Sequence, residues 1–262
     1  MDLMLDGRTV LVTGGSSGVG LATVAGLVDE GANVVTCARR LDVLEKTLAD
    51  RGIPGDRVLA RACDVRDEHA VRALVAAAED RFGGLDGLVN NAGQSRMKPL
   101  REATLADFRD ELDLKFAGVL NTTTHALPLL RRSSAAAVVT INAVLAKQPE
   151  PRLVTTSAAR AGLLNLTKSM ASEYAADGIR VNSVCLGLID TGQWRRRYEA
   201  AATDVSFAEW EREIAADRGI VLGRFGTADE VAAMVLTLLS PRASYVTGAS
   251  LDVCGGVSRY VF

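Results

Sequence analysis

The sequence predicts the α/β class, built as one doubly wound parallel sheet of about seven strands flanked by helices. Three observations point there. Short apolar runs alternate with helical patterns from one end of the chain to the other, which is the signature of repeated βα units. The runs are near-continuous and often β-branched, as in strands covered on both faces. The length is 262 residues with 48% hydrophobic side chains, enough for a sizeable core in one unit.

The strands are expected at Thr9–Val12, Asn33–Ala38, Val58–Asp64, Leu85–Asn90, Ala136–Ile141, Arg180–Cys185 and Ser250–Val253. Helices fill the gaps, with right-handed crossovers. Leu105, Phe108, Leu112, Phe116, Val119, Thr123, Leu127 and Leu130 recur at spacings of three and four, which predicts one long helix with one apolar face. No repeat, linker or low-complexity tract divides the chain, so residues 1–262 are expected to form a single domain. The stretch 187–226 is irregular and carries Trp194, Tyr198, Phe207 and Trp210, and is expected to form a helical flap over the site.

Composition excludes several classes. A formal net charge of −2 calls for neither nucleic acid nor an anionic membrane. Aromatic residues make up 5%, too few for a base-stacking platform, and no window has the apolar length of a membrane span. His69 and His125 stand without metal-ligand spacing, so no metal is expected. Cys37, Cys63, Cys185 and Cys254 form no CxxC pair and read as reduced thiols of a cytoplasmic protein. The N-terminus has acids and no basic segment before its short apolar stretch, unlike a signal peptide.

The first strand runs into Thr13-Gly14-Gly15-Ser16-Ser17-Gly18-Val19-Gly20 and then a helix to about Glu30. Gly14 permits the tight turn, Gly18 lets backbone approach a pyrophosphate, and Gly20 lets the helix pack closely on the sheet. The helix N-terminus offers free N–H groups to phosphates. Strand, glycine turn and helix in one βαβ unit form the context of a Rossmann-type dinucleotide site. After the second strand come Arg39 and Arg40, with no acid to grip a ribose 2′-hydroxyl, so NADP(H) is favoured over NAD(H) through an Arg39 contact to the 2′-phosphate.

The chain resembles the short-chain dehydrogenase/reductase family. The resemblance is carried by Thr13-Gly14 through Gly18 and Gly20, Asp64-Val65, Asn90-Asn91-Ala92-Gly93, Gly178-Ile179-Arg180-Val181-Asn182, Gly187-Leu188-Ile189-Asp190-Thr191, and Tyr245-Val246-Thr247-Gly248 to Gly255-Gly256. It implies a cofactor site formed by Gly14, Ser16, Ser17, Gly18, Val19, Arg39, Asp64, Val65, Asn91, Ala92, Gly93, Arg160, Ile189 and Thr191. Asp64 would lie near the adenine, Asn90 would support the central strands, and Ile189 and Thr191 would touch the nicotinamide carboxamide. The helices around 105–130 and 153–176 would form the interface of a homodimer or homotetramer, and the substrate would be a small carbonyl or alcohol.

The family's usual chemistry needs a tyrosine, a lysine four residues later, a serine and an asparagine. Here Ser157-Ala158-Ala159-Arg160 fixes the register and places Thr156 at the tyrosine position and Arg160 at the lysine position. Ala143 falls on the serine position and Lys115 on the asparagine position, and no Tyr-x-x-x-Lys occurs anywhere. A phenol has a pKa of about 10 and an aliphatic alcohol one near ~15.7. The gap of roughly five to six units is about 7–8 kcal/mol of proton affinity, so Thr156 is not expected to be a general acid. Arg160 is effectively never deprotonated. Lys115 is the new ionisable group: either it snorkels to solvent from its helix, or a facing guanidinium and burial lower its pKa towards a useful acid or base.

Asn142 and Thr155 are lesser candidates for polarising a substrate oxygen, set against ordinary strand-end and helix-start hydrogen bonding. Glu150, between Pro149 and Pro151, is a candidate base or an exposed loop acid. Arg195-Arg196-Arg197 would recognise an anionic substrate or form a solvated helix face. Two readings stay open at this stage: an NADP(H)-dependent oxidoreductase with a non-standard proton relay, and a dinucleotide-binding protein that is redox-inactive or runs aldol or elimination chemistry in the same pocket.

Overall fold

The computed structural model describes residues 2–260. Seven strands form one all-parallel sheet in the order β3-β2-β1-β4-β5-β6-β7. They are β1 (Thr9–Thr13), β2 (Asn33–Ala38), β3 (Val58–Ala62), β4 (Gly87–Asn90), β5 (Ala137–Ala143), β6 (Arg180–Leu186) and β7 (Ser250–Val253). Strand β4 starts two residues later than the sequence suggests, because the Asp86 carboxylate accepts from the Thr9 N–H and the Ser133 hydroxyl. Strand β5 runs two residues further, which carries Asn142 into the ladder opposite Cys185.

Two apolar cores cover the two sheet faces. On one face α1 (Gly18–Asp29) and α9 (Ala228–Leu239) bring Val24, Leu27, Val231 and Val235 against Val10, Val12, Val34 and Val139. On the other, α3 (Glu68–Phe82), α5 (Gly118–Leu130) and α6 (Val154–Glu173) bring Val71, Leu74, Leu130 and Leu163 against Leu11, Val35, Leu88 and Val138. Strand order reverses direction between β1 and β4, so the crevice outside their carboxyl ends is where this topology receives a ligand.

The expected long helix over 105–130 is interrupted. α4 (Leu105–Leu112) passes into a π-helical turn, Asp113–Ala117, and then into α5. One extra residue in a turn rotates everything after it by about 100°, so a three-and-four spacing read across it does not stay on one face. Leu105 and Leu112, before the turn, are accordingly exposed at 65% and 40%, while Val119, Thr123 and Leu130 after it are buried. The π turn lies close against α6: a Cβ at Gly162 would stand 2.8 Å from Phe116 Cζ. That close approach sets Arg160 on α6 beside Lys115 in the π turn.

The flap consists of α7 (Gly192–Ala201) and α8 (Phe207–Arg218). Trp194, Tyr198, Phe207, Trp210 and Phe225 hold them together through ring contacts of 4.8–6.0 Å between centroids. Among the described residues, no helix is long and apolar enough to cross a membrane.

Candidate functional site

At the carboxyl ends of β1 and β4 the chain forms a cradle with no room for side chains. Gly14 has φ +74°, and a Cβ there would lie 3.1 Å from both Ala92 Cα and the Asn91 amide nitrogen. A Cβ at Gly20 would overlap the Gly14 carbonyl, so Gly20 closes α1 onto the turn rather than onto the sheet as expected from the sequence. Gly15 is equally constrained, by Thr36 Oγ1. The Asn91 amide donates to the Thr13 and Gly14 carbonyls at 2.9 and 3.2 Å, and the N–H groups of Asn91 and Ala92 donate to Thr13 Oγ1 at 2.9 and 3.0 Å. The clamp between β4 and the glycine turn is therefore Asn91. Asn90, expected to support the central strands, accepts from Thr122 Oγ1 at 2.6 Å and ties β4 to α5.

Around the cradle, Ser16 is half-buried and Ser17, the N-cap of α1, caps nothing with its side chain. Val19, Val65 and Ile189 bury their side chains in the core, so only their backbone groups can face a ligand. Gly93 is exposed, and Thr191 lies against Gly18 at the start of α7. Arg39 is exposed, makes no hydrogen bond or ion pair with any described residue, and lines a cavity of about 370 Å³ with Ser16, Ala38, Arg40 and Val43. Asp64 stands two residues beyond β3. Arg66 holds its carboxylate at 2.6 and 3.0 Å and, with help from Arg39, lowers its pKa to about 2.

Lys115, Glu111 and Arg160 meet at the other end of the crevice. The Lys115 ammonium is 4% exposed and donates to Glu111 Oε2 at 2.7 Å and to the Gln94 carbonyl at 2.9 Å. Burial and the Arg160 charge push its pKa down, while Glu111 opposes them. Arg160 is half-buried, with Nη1 3.5 Å from the Ile141 carbonyl and Nε enclosed without a partner. Burial lowers the Arg160 pKa, and the Glu111 charge opposes that. Lys115 is paired with the buried Glu111 carboxylate, whose charge also acts on Arg160, and Lys115 is the member able to release a proton.

Thr156 is fully buried and its hydroxyl has no partner. Both ends of the Asn142 amide are taken by backbone: Nδ2 donates to the Arg160 carbonyl at 3.1 Å and Oδ1 accepts from Ala143 N at 2.8 Å. Asn142 thus fixes α6 to β5 and presents no free group to a substrate. Thr155 is buried in the first turn of α6. Glu150 is paired with Arg218 of α8 at 2.5 Å, tying the loop after β5 to the flap. Among the described residues, no group of three or more His, Cys, Asp or Glu is placed to hold a metal ion, and Cys37, Cys63, Cys185 and Cys254 are free.

A family model described as enoyl-(acyl carrier protein) reductase matches residues 14–258. The chain belongs to the short-chain dehydrogenase/reductase family. A putative ketoacyl reductase of Streptomyces coelicolor is 35% identical over 264 residues, covering 97% of this chain and 98% of that one. A 3-oxoacyl-[acyl-carrier-protein] reductase of Thermotoga maritima is 33% identical, with 97% and 99% covered. Among solved structures, a short-chain oxidoreductase from Pseudomonas aeruginosa PAO1 containing an atypical catalytic center is 46% identical, with 97% of this chain and 98% of that chain covered. It superimposes with TM-scores of 0.93 in its apo form and 0.91 in its NADPH-bound form. L-sorbose reductase of Gluconobacter frateurii, complexed with NADPH and L-sorbose, is 30% identical over all of both chains, with a TM-score of 0.92.

Within this short-chain dehydrogenase/reductase frame, sequence reasoning missed Glu111, Arg66 and Arg218. The signal for Glu111 was its place four residues before Lys115, a spacing that puts two side chains on one helical face. Arg66 stands two residues after Asp64 and forms a local ion pair. Arg218 gave no signal, because its partner Glu150 is far away in the chain.

Proposed function

We propose that this chain is an NADP(H)-dependent oxidoreductase acting on a small carbonyl or alcohol, with Lys115 at the centre of a rebuilt proton relay. The observation that carries this is the buried Lys115–Glu111 pair beside Arg160, placed where the family's usual side chains are replaced. The residues fit the cofactor: a cradle that a Cβ would fill at Gly14 and Gly20, the open α1 N-terminus, and an unpaired Arg39 at an adjoining cavity. Arg39 would pair with the 2′-phosphate, Asp64 and Val65 would border the adenine, and Ile189 and Thr191 would border the nicotinamide. The 46% identical P. aeruginosa protein, with its atypical center and bound NADPH, supports both halves of the reading.

When bound, the nicotinamide supplies or accepts the hydride. In the reducing direction the substrate oxygen would also need a proton. Lys115 releases this proton from Nζ, and Glu111 and the Gln94 carbonyl hold the ammonium in place. Arg160 stays charged and stabilises negative charge developing on the substrate oxygen. Asn142 positions α6, and through it Arg160. The helix faces carrying Leu105, Leu112 and Leu120 support a homodimer or homotetramer.

The test is NADPH oxidation by the purified protein against a broad panel of carbonyl compounds, with Lys115→Met alongside. Loss of a general acid lowers turnover by about 10²–10⁴-fold with little change in NADPH affinity. Unchanged turnover removes Lys115 from the mechanism. The enclosed Thr156 hydroxyl and the committed Asn142 amide favour a second reading, a redox-inactive binder or a non-redox enzyme. Absence of turnover with every carbonyl and alcohol selects it.

A further inference from the structure

The three arginines of α7 have different fates. Arg195 donates to the Asp190 carboxylate at 2.5 and 3.0 Å and stacks on the Phe207 ring at 3.6 Å. Arg196 is exposed. Arg197 is half-buried with its guanidinium carbon 4.5 Å from the centroid of Trp194, and it makes no hydrogen bond or ion pair with any described residue. Burial lowers its pKa; Glu150 opposes this and Arg218 adds to it. The Glu150 carboxylate is already held by Arg218, so it leaves the Arg197 fork unpaired. A guanidinium stacked on an aromatic face still presents its N–H edge for a bidentate anion contact.

Its surroundings place this fork at the substrate side of the crevice. Trp194 packs in one cluster with Val144, Cys185, Leu188 and Phe225. Val144 follows Ala143, the position of the family's substrate-contacting serine. Cys185 is near enough to Arg160 for its charge to act on the thiol. The wall beneath Arg197 is therefore apolar, and it adjoins Arg160, which would stabilise negative charge on the substrate oxygen.

We propose that Arg197 is the anion-recognising residue of this site, so that its substrate has an apolar body ending in a carboxylate. The inference rests on the oxidoreductase reading for the reaction, but not for the binding. The protein contains two tryptophans, Trp194 and Trp210, whose rings lie 6.0 Å apart in this cluster. Tryptophan fluorescence therefore reports directly on the site.

The experiment titrates NADP⁺-saturated protein with hexanoate and with hexanamide, following fluorescence and calorimetry. A charge-assisted contact makes hexanoate bind at least about tenfold more tightly than hexanamide. Arg197→Gln abolishes that preference, Arg197→Lys keeps part of it, and Arg196→Gln leaves it intact. Equal affinity for the two probes, no binding of either, or a preference that survives Arg197→Gln overturns the inference. So does a loss of NADP⁺ affinity in Arg197→Gln, which would assign the guanidinium to the cofactor phosphates. If hexanoate binds through Arg197 while no carboxylated carbonyl compound is reduced, the redox reading fails and the inference stands.

Discussion

Removing Glu111 should destabilise the protein more than removing Lys115, although the two form one ion pair. Stripping one partner from a buried pair costs about 3–5 kcal/mol, because the other charge is left without water or counter-charge. The two deletions are not symmetric here. Lys115→Met leaves the Glu111 carboxylate with Arg160 still nearby, so the cost falls towards about 3 kcal/mol. Glu111→Gln leaves Lys115 and Arg160 facing one another with no anion between them, so the cost moves towards about 5 kcal/mol. Urea unfolding of both variants at neutral pH, at one protein concentration and without cofactor, measures the order. The sign with pH follows as well. The folded pKa of Lys115 lies below its ordinary 10.5, so between the two values the unfolded chain binds more protons and stability from this group rises with pH. Glu111→Gln lowers the folded pKa further and extends that rise to lower pH. A Glu111→Gln variant as stable as Lys115→Met, or one with an unchanged pH slope, would refute the shared-carboxylate arrangement.

Three other outcomes are expected. NADPH should bind more tightly than NADH by more than about threefold in calorimetry, since a charge-assisted pair contributes roughly 1.5–3 kcal/mol, and Arg39→Asp should reverse the order. Light scattering at micromolar concentration should show a twofold-symmetric oligomer, because Leu105, Leu112 and Leu120 leave apolar surface on α4 and α5; a monomer rejects this. The Arg66-held Asp64 has its pKa lowered to about 2 from 3.8, so its contribution is present above 3.8 and is lost as pH falls through about 2. Acid titration of stability in Arg66→Ala should lack that component; an unchanged profile rejects it.

The sheet was legible because strand signals are local: the β-branched run at β2 and the short run at β7 match the observed strands in both bounds. The glycine turn was legible because backbone conformation and close approach constrain residue type directly. What depended on helical phase was not. The π turn at Asp113–Ala117 breaks the periodicity that made Leu105–Leu130 look like one face, and no residue type announces such a turn. Contacts between distant segments were equally hidden. The Glu150–Arg218 pair joins a loop after β5 to α8, and the bond from Asn142 Nδ2 to the Arg160 carbonyl depends on where α6 docks. For Glu150 the sequence favoured an exposed loop acid over a base, and the structure makes it neither, but a half-buried strut.

Rebuilding the family's usual side chains tests whether only the proton relay has changed. The substitutions are Lys115→Asn, Ala143→Ser, Thr156→Tyr and Arg160→Lys. Sequence logic alone treats these four as sufficient. The structure says they are not independent of Glu111, since Lys115→Asn removes the donor 2.7 Å from a carboxylate that is 2% exposed. In the fourfold variant that carboxylate faces the new ammonium at 160 and holds its pKa up. An ammonium drawn towards Glu111 is drawn away from the tyrosine and ribose it should serve. The fourfold variant is therefore expected to reduce simple ketones weakly, and adding Glu111→Leu, which removes the competing anion, should raise kcat further with little effect on NADPH affinity. The assay is steady-state NADPH oxidation beside a direct measurement of NADPH binding. If the fourfold variant is fully active and Glu111→Leu adds nothing, Glu111 does not compete for the lysine. If the fivefold variant folds, binds NADPH and still reduces nothing, the substrate pocket has diverged along with the relay.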